Sequence, residues 1–211
     1  MTSRQKQKRE WQRQFILERA VAEFAQHGYR GTTMERIAEV AEVSKGTLYN
    51  YFSNKRELFL TIIEWGSGRA REIIEEALKN ETQSYEERIR ALVGHFMEFF
   101  ETGRDIHRIL MTEGNRVTLS GPGDLKMAIQ PQYMQLITHL AEFIHQGQEH
   151  GAFRQCDPQR AAIMALNMVT AELSYSIFSN YPEPVSTHAD EVAEFVLGAL
   201  SAPAIGGDPA L

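Results

Sequence analysis

The chain has 211 residues, 43% of them hydrophobic, which holds one large or two small domains with an ample core. Its net charge of -6 is unevenly placed: residues 1–58 carry 11 Lys and Arg against 7 Asp and Glu, and the remainder 11 against 21. The single cysteine excludes an internal disulfide, and no apolar run reaches the length of a membrane span. A lone thiol suits a reducing compartment and the charged start does not suit a secretory leader, so a cytoplasmic protein is expected. A basic first quarter on an acidic body gathers any attraction for phosphate at one end, although a charge run by itself is usually a solvated surface.

Residues 1–10 are polar and basic, with Arg4, Lys6, Lys8 and Arg9. They are expected to form a disordered arm, serving either as a solubilising tail or as a tether to the DNA backbone or minor groove. From about Trp11 to His27, Ile16, Leu17, Ala20, Val21, Phe24 and Ala25 recur at helical spacing, and Gly28 supplies a stop. Thr32 and Glu35 have capping-box spacing for a second helix with Met34, Ile37, Ala38 and Ala41 inward. Ser44 is an N-cap candidate for a third helix anchored by Leu48 and Phe52. The other face of that helix presents Lys45, Gly46, Thr47, Tyr49, Asn50 and Tyr51, small or hydrogen-bonding groups suited to the DNA major groove. Together these elements predict a helix-turn-helix.

The run Val43-Ser44-Lys45-Gly46-Thr47-Leu48-Tyr49-Asn50-Tyr51-Phe52-Ser53-Asn54-Lys55-Arg56-Glu57-Leu58 resembles the signature of the TetR family of bacterial transcriptional regulators. The likeness extends upstream through Ile16–Ala20 and Phe24–Tyr29, so it is sharp over roughly a quarter of the chain. One position departs. Glu42 stands where the family usually has Gly in a left-handed turn, a substitution costing about 1 kcal/mol. The resemblance implies backbone-phosphate contacts from Tyr51 and Lys55. Among the groove-facing residues, Lys45 can reach guanine acceptors, the Thr47 methyl a thymine methyl, and Asn50 an adenine edge. Tyr49 either joins them or packs the head together. Ser44 and Gly46 lie on the same surface. Arg36 can add a phosphate or base contact, and Thr33 can bond phosphate unless it serves only as a cap.

Beyond the head, a fourth helix capped by Asn54 or Ser53 is expected to run past Leu78, with a weak spot at Gly66 and Gly68. Helices follow near Tyr85–Thr102 and Asp105–Glu113. The breaker-rich stretch Gly114–Pro131 then reads as the lip of a cavity. Helices at Gln132–Glu149, Pro158–Asn180 and Thr187–Leu200 complete the body, and Ser201–Leu211 is a loose tail. The expected architecture is all-α, with about nine helices. Its divisions are a basic arm at 1–10, a DNA-binding head at 11–57, an effector-binding and dimerisation body at 58–200, and a tail at 201–211.

The body is rich in aromatic and methionine side chains: Phe96, Phe99, Phe100, Met111, Met134, Phe143, Met164, Met168 and Tyr175. Each alone fits a plain core. As a group, and given the family's habit of binding an effector between these helices, they are candidates to line a mainly apolar pocket. His95, His139, Asn167 and Glu172 are candidates to orient a ligand's polar end, though each alone fits an ordinary interior or surface position. No histidine pair has the spacing that sets two metal ligands on one helical face, and no nucleophile motif or P-loop occurs, so neither metal, cofactor nor catalysis is expected. The resemblance implies a homodimer through the last two helices, reading a palindromic operator on double-stranded DNA and released by a small-molecule effector. The alternative is a DNA-binding protein that acts through a protein partner with no small-molecule effector.

Overall fold

The computed structural model describes residues 3–110, 123–179 and 183–201. Among these residues the elements are α-helices joined by short turns: α1 (Ser3–Gly31), α2 (Met34–Val40), α3 (Lys45–Tyr49), α4 (Lys55–Leu78), α5 (Tyr85–Thr102), α6 (Arg104–Arg108), α7 (Gly123–Glu149), α8 (Pro158–Ser179) and α9 (Ala189–Leu200). A 3-10 turn at Val185–His188 leads into α9. No described helix is long and apolar enough to cross a membrane.

The chain divides into two compact units. The first comprises residues 1–68 with 103–132, and the second residues 69–102 with 133–211. The division therefore falls inside α4 rather than at residue 57, and α6 with the first part of α7 belongs to the first unit.

In the first unit the inward stripe of α1, Ile16, Leu17, Ala20 and Phe24, meets Ile37, Leu48, Phe52 and the start of α4 at Leu58, Phe59 and Ile62. Phe24 and Tyr29 bring their rings to 5.1 and 4.9 Å from that of Phe59. Each such buried large side chain contributes roughly 1.5–3 kcal/mol. The helix breaks at Gly28, whose φ of 69° and ψ of 171° end the regular run. The expected arm is different: Ser3–Glu10 continue α1 as helix. That stretch is made of Gln, Lys, Arg and Glu, good helix formers with no Gly or Pro, so the helix propagates toward the amino end.

The second helix begins one residue later than the capping box suggested. Thr33 is its N-cap, its hydroxyl accepting from the N–H of Arg36 at 3.2 Å. Thr32 is fully buried and spends its hydroxyl inward, donating to the carbonyls of Gly28 and Glu23 at 2.9 and 3.2 Å. Ser44 caps α3 through the N–H of Thr47 at 3.0 Å. Asn54 caps α4 through the N–H of Glu57, while Glu57 holds Ser53. The turn between α2 and α3 places Glu42 at φ 53°, the left-handed conformation that the sequence position demands.

The fourth helix runs unbroken through Gly66 and Gly68. Gly66 is closely approached: a Cβ there would lie 3.1 Å from Ile106 and 3.2 Å from Leu110, so a side chain would press on both. The expected break at Pro131 is also absent. The seventh helix starts at Gly123 and carries Pro131 within it, anchored on either side of each turn by buried Leu125, Ile129, Leu136 and Ile137. Burial of those apolar residues outweighs the one lost backbone bond. The rest of the supposed lip, residues 114–122, lies outside the described residues, as do residues 111–113 of the helix expected before it and the tail from 202.

In the second unit, α5 presents Ile89, Leu92, Val93, Phe96 and Phe100 to the inner faces of α7, α8 and α9. Its start is a reciprocal capping box, with Ser84 and Glu87 each holding the other's backbone N–H. An aromatic group of Tyr85, Phe143 and Phe153 closes one end, with ring centroids 5.2–5.8 Å apart. The buried Arg88 guanidinium stacks 4.7 Å from the Phe143 ring and donates to the Leu78 carbonyl. Phe153 pairs with Ser201 in an isolated antiparallel bridge, and Arg154 N–H donates to the Leu200 carbonyl at 2.9 Å.

Candidate nucleic-acid interface and effector cavity

The recognition surface is built from the amino end of α3. Ser44 places its side chain on Thr47, and Thr47 returns a hydroxyl contact at 2.8 Å, so both are held at the start of the helix. Lys45 is exposed and pairs with Glu35 on α2 at 3.2 Å. The Glu35 carboxyl is held below its usual range by a backbone hydrogen bond and by Lys45. Gly46 leaves the helix surface open, with nothing nearer a built Cβ than Ser44 Oγ at 3.9 Å. Tyr49 is 46% exposed, which places it on the outer surface rather than in the core, and Asn50 beside it is exposed as the C-cap. Lys45, Gly46, Thr47, Tyr49 and Asn50 thus form one open face while Leu48 and Phe52 bury the other. Arg36 reaches Glu39 at 3.0 Å and the nearly buried Glu23 at 3.6 Å, so it braces α2 against α1.

Two residues carried over from the resemblance sit differently. The Lys55 ammonium turns inward, donating to the carbonyls of Tyr29 and Thr32 at 2.8 Å each and standing 4.7 Å over the Tyr29 ring. Burial pulls its pKa below the ordinary lysine value. Two of its three donors are therefore spent on the protein's own backbone. Tyr51 donates its hydroxyl proton to Gln12 on α1 at 3.1 Å, and its ring lies under Arg9 at 5.9 Å. Sequence reasoning missed Gln12 and Arg13. The signal was the register of α1, where 9 and 13 continue the inward stripe of 16, 20 and 24.

The effector candidates do not converge. An apolar cavity of about 40 Å³ in the second unit is lined by residues including Ile74, Leu92, Phe96, Phe143, Leu166 and Val196. Phe96 and Phe143 are the two expected residues that reach it. Phe100 is buried beside Phe96 and Phe99, with ring centroids at 5.0 and 4.8 Å. His95 and Met134 are exposed, and His139 is half-buried near Glu75 at 3.9 Å. Met164, Met168 and Tyr175 lie on the outward face of α8, at 61, 37 and 59% exposure, so they do not line the cavity. Asn167 is exposed on α8 and bonds the Ile163 carbonyl; Glu172 is partly exposed. The reason is that α8 is apolar on two faces, and spacing alone cannot say which one turns inward. Met111 lies outside the described residues.

A helix-turn-helix head with an open, polar recognition helix defines a DNA-binding regulator. Residues 16–62 match the pattern described as bacterial regulatory proteins, tetR family, and residues 82–172 match the tetracyclin repressor-like C-terminal domain. The chain is 30% identical over 159 residues to an uncharacterized HTH-type transcriptional regulator, YhgD of Bacillus subtilis, covering 75% of this chain and 81% of that one. It belongs to the TetR family of bacterial transcriptional regulators, and it is a regulator rather than an enzyme. Its fold matches a FadR regulator of Bacillus subtilis solved in complex with stearoyl-CoA, at a TM-score of 0.77 and 18% identity, covering 88% of this chain and 98% of that one. It also matches AibR, solved in complex with isovaleryl coenzyme A and operator DNA, at a TM-score of 0.72 and 23% identity, covering 91 and 99%.

Proposed function

We propose that this chain is a homodimeric repressor that reads a palindromic operator and is released by an acyl thioester or a related mainly apolar molecule. The observation that carries the DNA reading is the open face of α3, where Lys45, Thr47, Tyr49 and Asn50 stand free of the core on a capped, braced helix. Thr33, Ser44 and Gly46 border that face, and Arg36 fixes the helix before it. One such helix touches few base pairs, and a two-fold dimer doubles the reading.

Dimerisation rests on the outer face of α8. Met164, Met168, Ala171 and Tyr175 follow at intervals of four, three and four residues, a seam opposite the buried stripe of Ala162, Leu166, Val169 and Leu173. Phe195 on α9 adds a further exposed ring, and a groove of about 300 Å³ between α8 and α9 offers room for side chains of a second copy. A Met164→Glu, Tyr175→Glu double substitution should yield monomers in sedimentation at micromolar concentration. A variant that stays dimeric would remove this interface from the reading.

The acyl-thioester class is suggested by the ligands of the FadR and AibR structures and by the wholly apolar lining of the cavity. At about 40 Å³ the cavity is far too small for a long acyl chain, so such a ligand must displace side chains to enter. That tight filling also favours the second reading, a regulator answering to a protein partner. The experiment is selection of random duplexes by the protein, followed by titration of the enriched palindrome with and without stearoyl-CoA or isovaleryl-CoA. A loss of affinity with either thioester supports the first reading, since a ligand shifts the equilibrium only by its preference for one state. Unchanged affinity with both moves the assignment to the second.

A further inference from the structure

Lys45 is the one cation of α3, and it is not a free charge. Met34, Ile37 and Ala38 turn the apolar side of α2 inward, which leaves Glu35 outside. The left-handed turn at Glu42 folds the chain back so that the first residue of α3 meets the second of α2. Lys45 Nζ donates to Glu35 Oε1 at 3.2 Å, across ten residues of sequence. Both side chains stay more than half exposed, at 64 and 55%, and neither makes another ion pair among the described residues. An ammonium has three donors, so two remain. A carboxylate has about four acceptor sites. Lys45 and the residue's own backbone use only part of them. The open face therefore carries spare donors and spare acceptors side by side.

We propose that Glu35 is a specificity-determining residue: with Lys45 it reads one G·C base pair per half-site, Lys45 on guanine N7 and O6 and Glu35 on N4–H of the paired cytosine. This rests on the DNA-binding reading above and deepens it. Guanine O6 and cytosine N4 are hydrogen-bonded to each other, roughly 2.9 Å apart, a spacing that the ion pair matches. An A·T pair puts its N6 donor where O6 stands, facing the spare donors of the ammonium. A C·G pair reverses the order of groups, against a couple whose direction α2 and α3 fix. An unpaired lysine, a compact charge on a flexible stem, would settle as readily on a phosphate. Held by Glu35, the couple has no net charge and displaces few counterions, so it governs choice of sequence more than strength of binding.

The test uses the full chain and repeats the selection of random duplexes with Lys45→Ala, Glu35→Ala and Glu35→Gln. An exposed pair adds little to stability, so the thermal midpoints should stay with that of the unchanged protein. Lys45→Ala and Glu35→Ala are expected to lose the preference at the same G·C pair of each half-site and to keep the rest of the palindrome. Discrimination against A·T at that pair should fall roughly tenfold in titration. Glu35→Gln keeps the shape but brings amide donors, and should admit A·T there. N4-methylcytosine at the same pair keeps its base-pairing N–H and loses the outward one. It should weaken the unchanged protein roughly tenfold and Glu35→Ala by less than about twofold. Lys45→Ala should leave the slope of log affinity against log salt nearly unchanged. A Glu35→Ala protein that keeps every preference and binds all duplexes more tightly would reduce Glu35 to a repelled surface charge and overturn the proposal. So would a Lys45→Ala slope lower by about 0.9 per protomer, which puts that ammonium on a phosphate. Failure of the unchanged protein to enrich any sequence would overturn the DNA-binding reading and the paired reading together.

Discussion

The Lys55 ammonium donates to the carbonyl of Thr32 at 2.8 Å, across 23 residues of sequence, and so ties the first turn of α4 to the entrance of the helix-turn-helix. The same ammonium holds the Tyr29 carbonyl. It is a cross-link between two backbone segments that a helix start would otherwise leave to water.

Lys55→Met should therefore behave as a loss of structure before a loss of charge. Two part-buried carbonyls would lose a charged donor, at a cost of about 1–3 kcal/mol. Urea unfolding would read that loss. Duplex titration of the variant, at a temperature where it stays folded, should show weaker binding with little change in salt slope. A stability equal to the unchanged protein together with a lower slope would return Lys55 to the DNA backbone.

Glu42 adopts φ 53° without glycine's freedom. Glu42→Gly should relieve about 1 kcal/mol of local strain and raise the thermal midpoint by a few degrees. Glu42→Val, with a branched Cβ in the same conformation, should lower it. Calorimetry on the two variants checks the sign in each direction.

Gly147 lies directly beneath the Phe153 ring, so that a methyl group there would overlap its Cδ2 and Cε2 atoms. Gly147 also gives its carbonyl to the N–H groups of Ala152 and Phe153. Gly147→Ala should cost about 2 kcal/mol or more by forcing the ring out of the Tyr85 and Phe143 group. The near-ultraviolet circular dichroism of that aromatic group should weaken in parallel with the midpoint of denaturation.

Burial lowers the pKa of His107 from 6.5 to about 4. The folded imidazole is neutral where the unfolded one begins to take a proton, so the unfolded state binds more protons between those values. Stability from this group is complete above about pH 6.5 and falls as pH drops toward 4, by up to about 3 kcal/mol. His107→Gln should flatten that part of the stability profile measured by urea unfolding from pH 4 to 7.

What could be read from the sequence was what short-range chemistry decides. The Ser44 cap, the Leu48 and Phe52 anchors and the left-handed turn at Glu42 all depend on residues within a few positions of one another. Where two adjacent residues could do the same task, as Thr32 and Thr33 could, only the fold chose between them. Pro131 misled for a different reason: its break signal is local, and the apolar residues that override it are spread along the whole of α7. The inward turn of Lys55 depends on carbonyls 23 and 26 residues away, beyond any spacing argument. The effector candidates on α8 do not gather at the cavity, because its Met164 and Tyr175 face outward while its Leu166 and Leu173 face in. In a helix apolar on both sides, composition marks the element without marking the face.

The bridge between Phe153 and Ser201, with the Arg154 bond to Leu200, fastens the end of the last helix to the turn before α8. Trimming from the carboxyl end consequently meets a threshold. A cut after Ser201 leaves each of these fastenings in place; removing Ser201 takes away the bridge to Phe153, and removing Leu200 next takes away the acceptor for Arg154 and a wall of the apolar cavity. An exopeptidase that reached Ser201 and then Leu200 would release the end of the last helix from the turn before α8 in two successive steps.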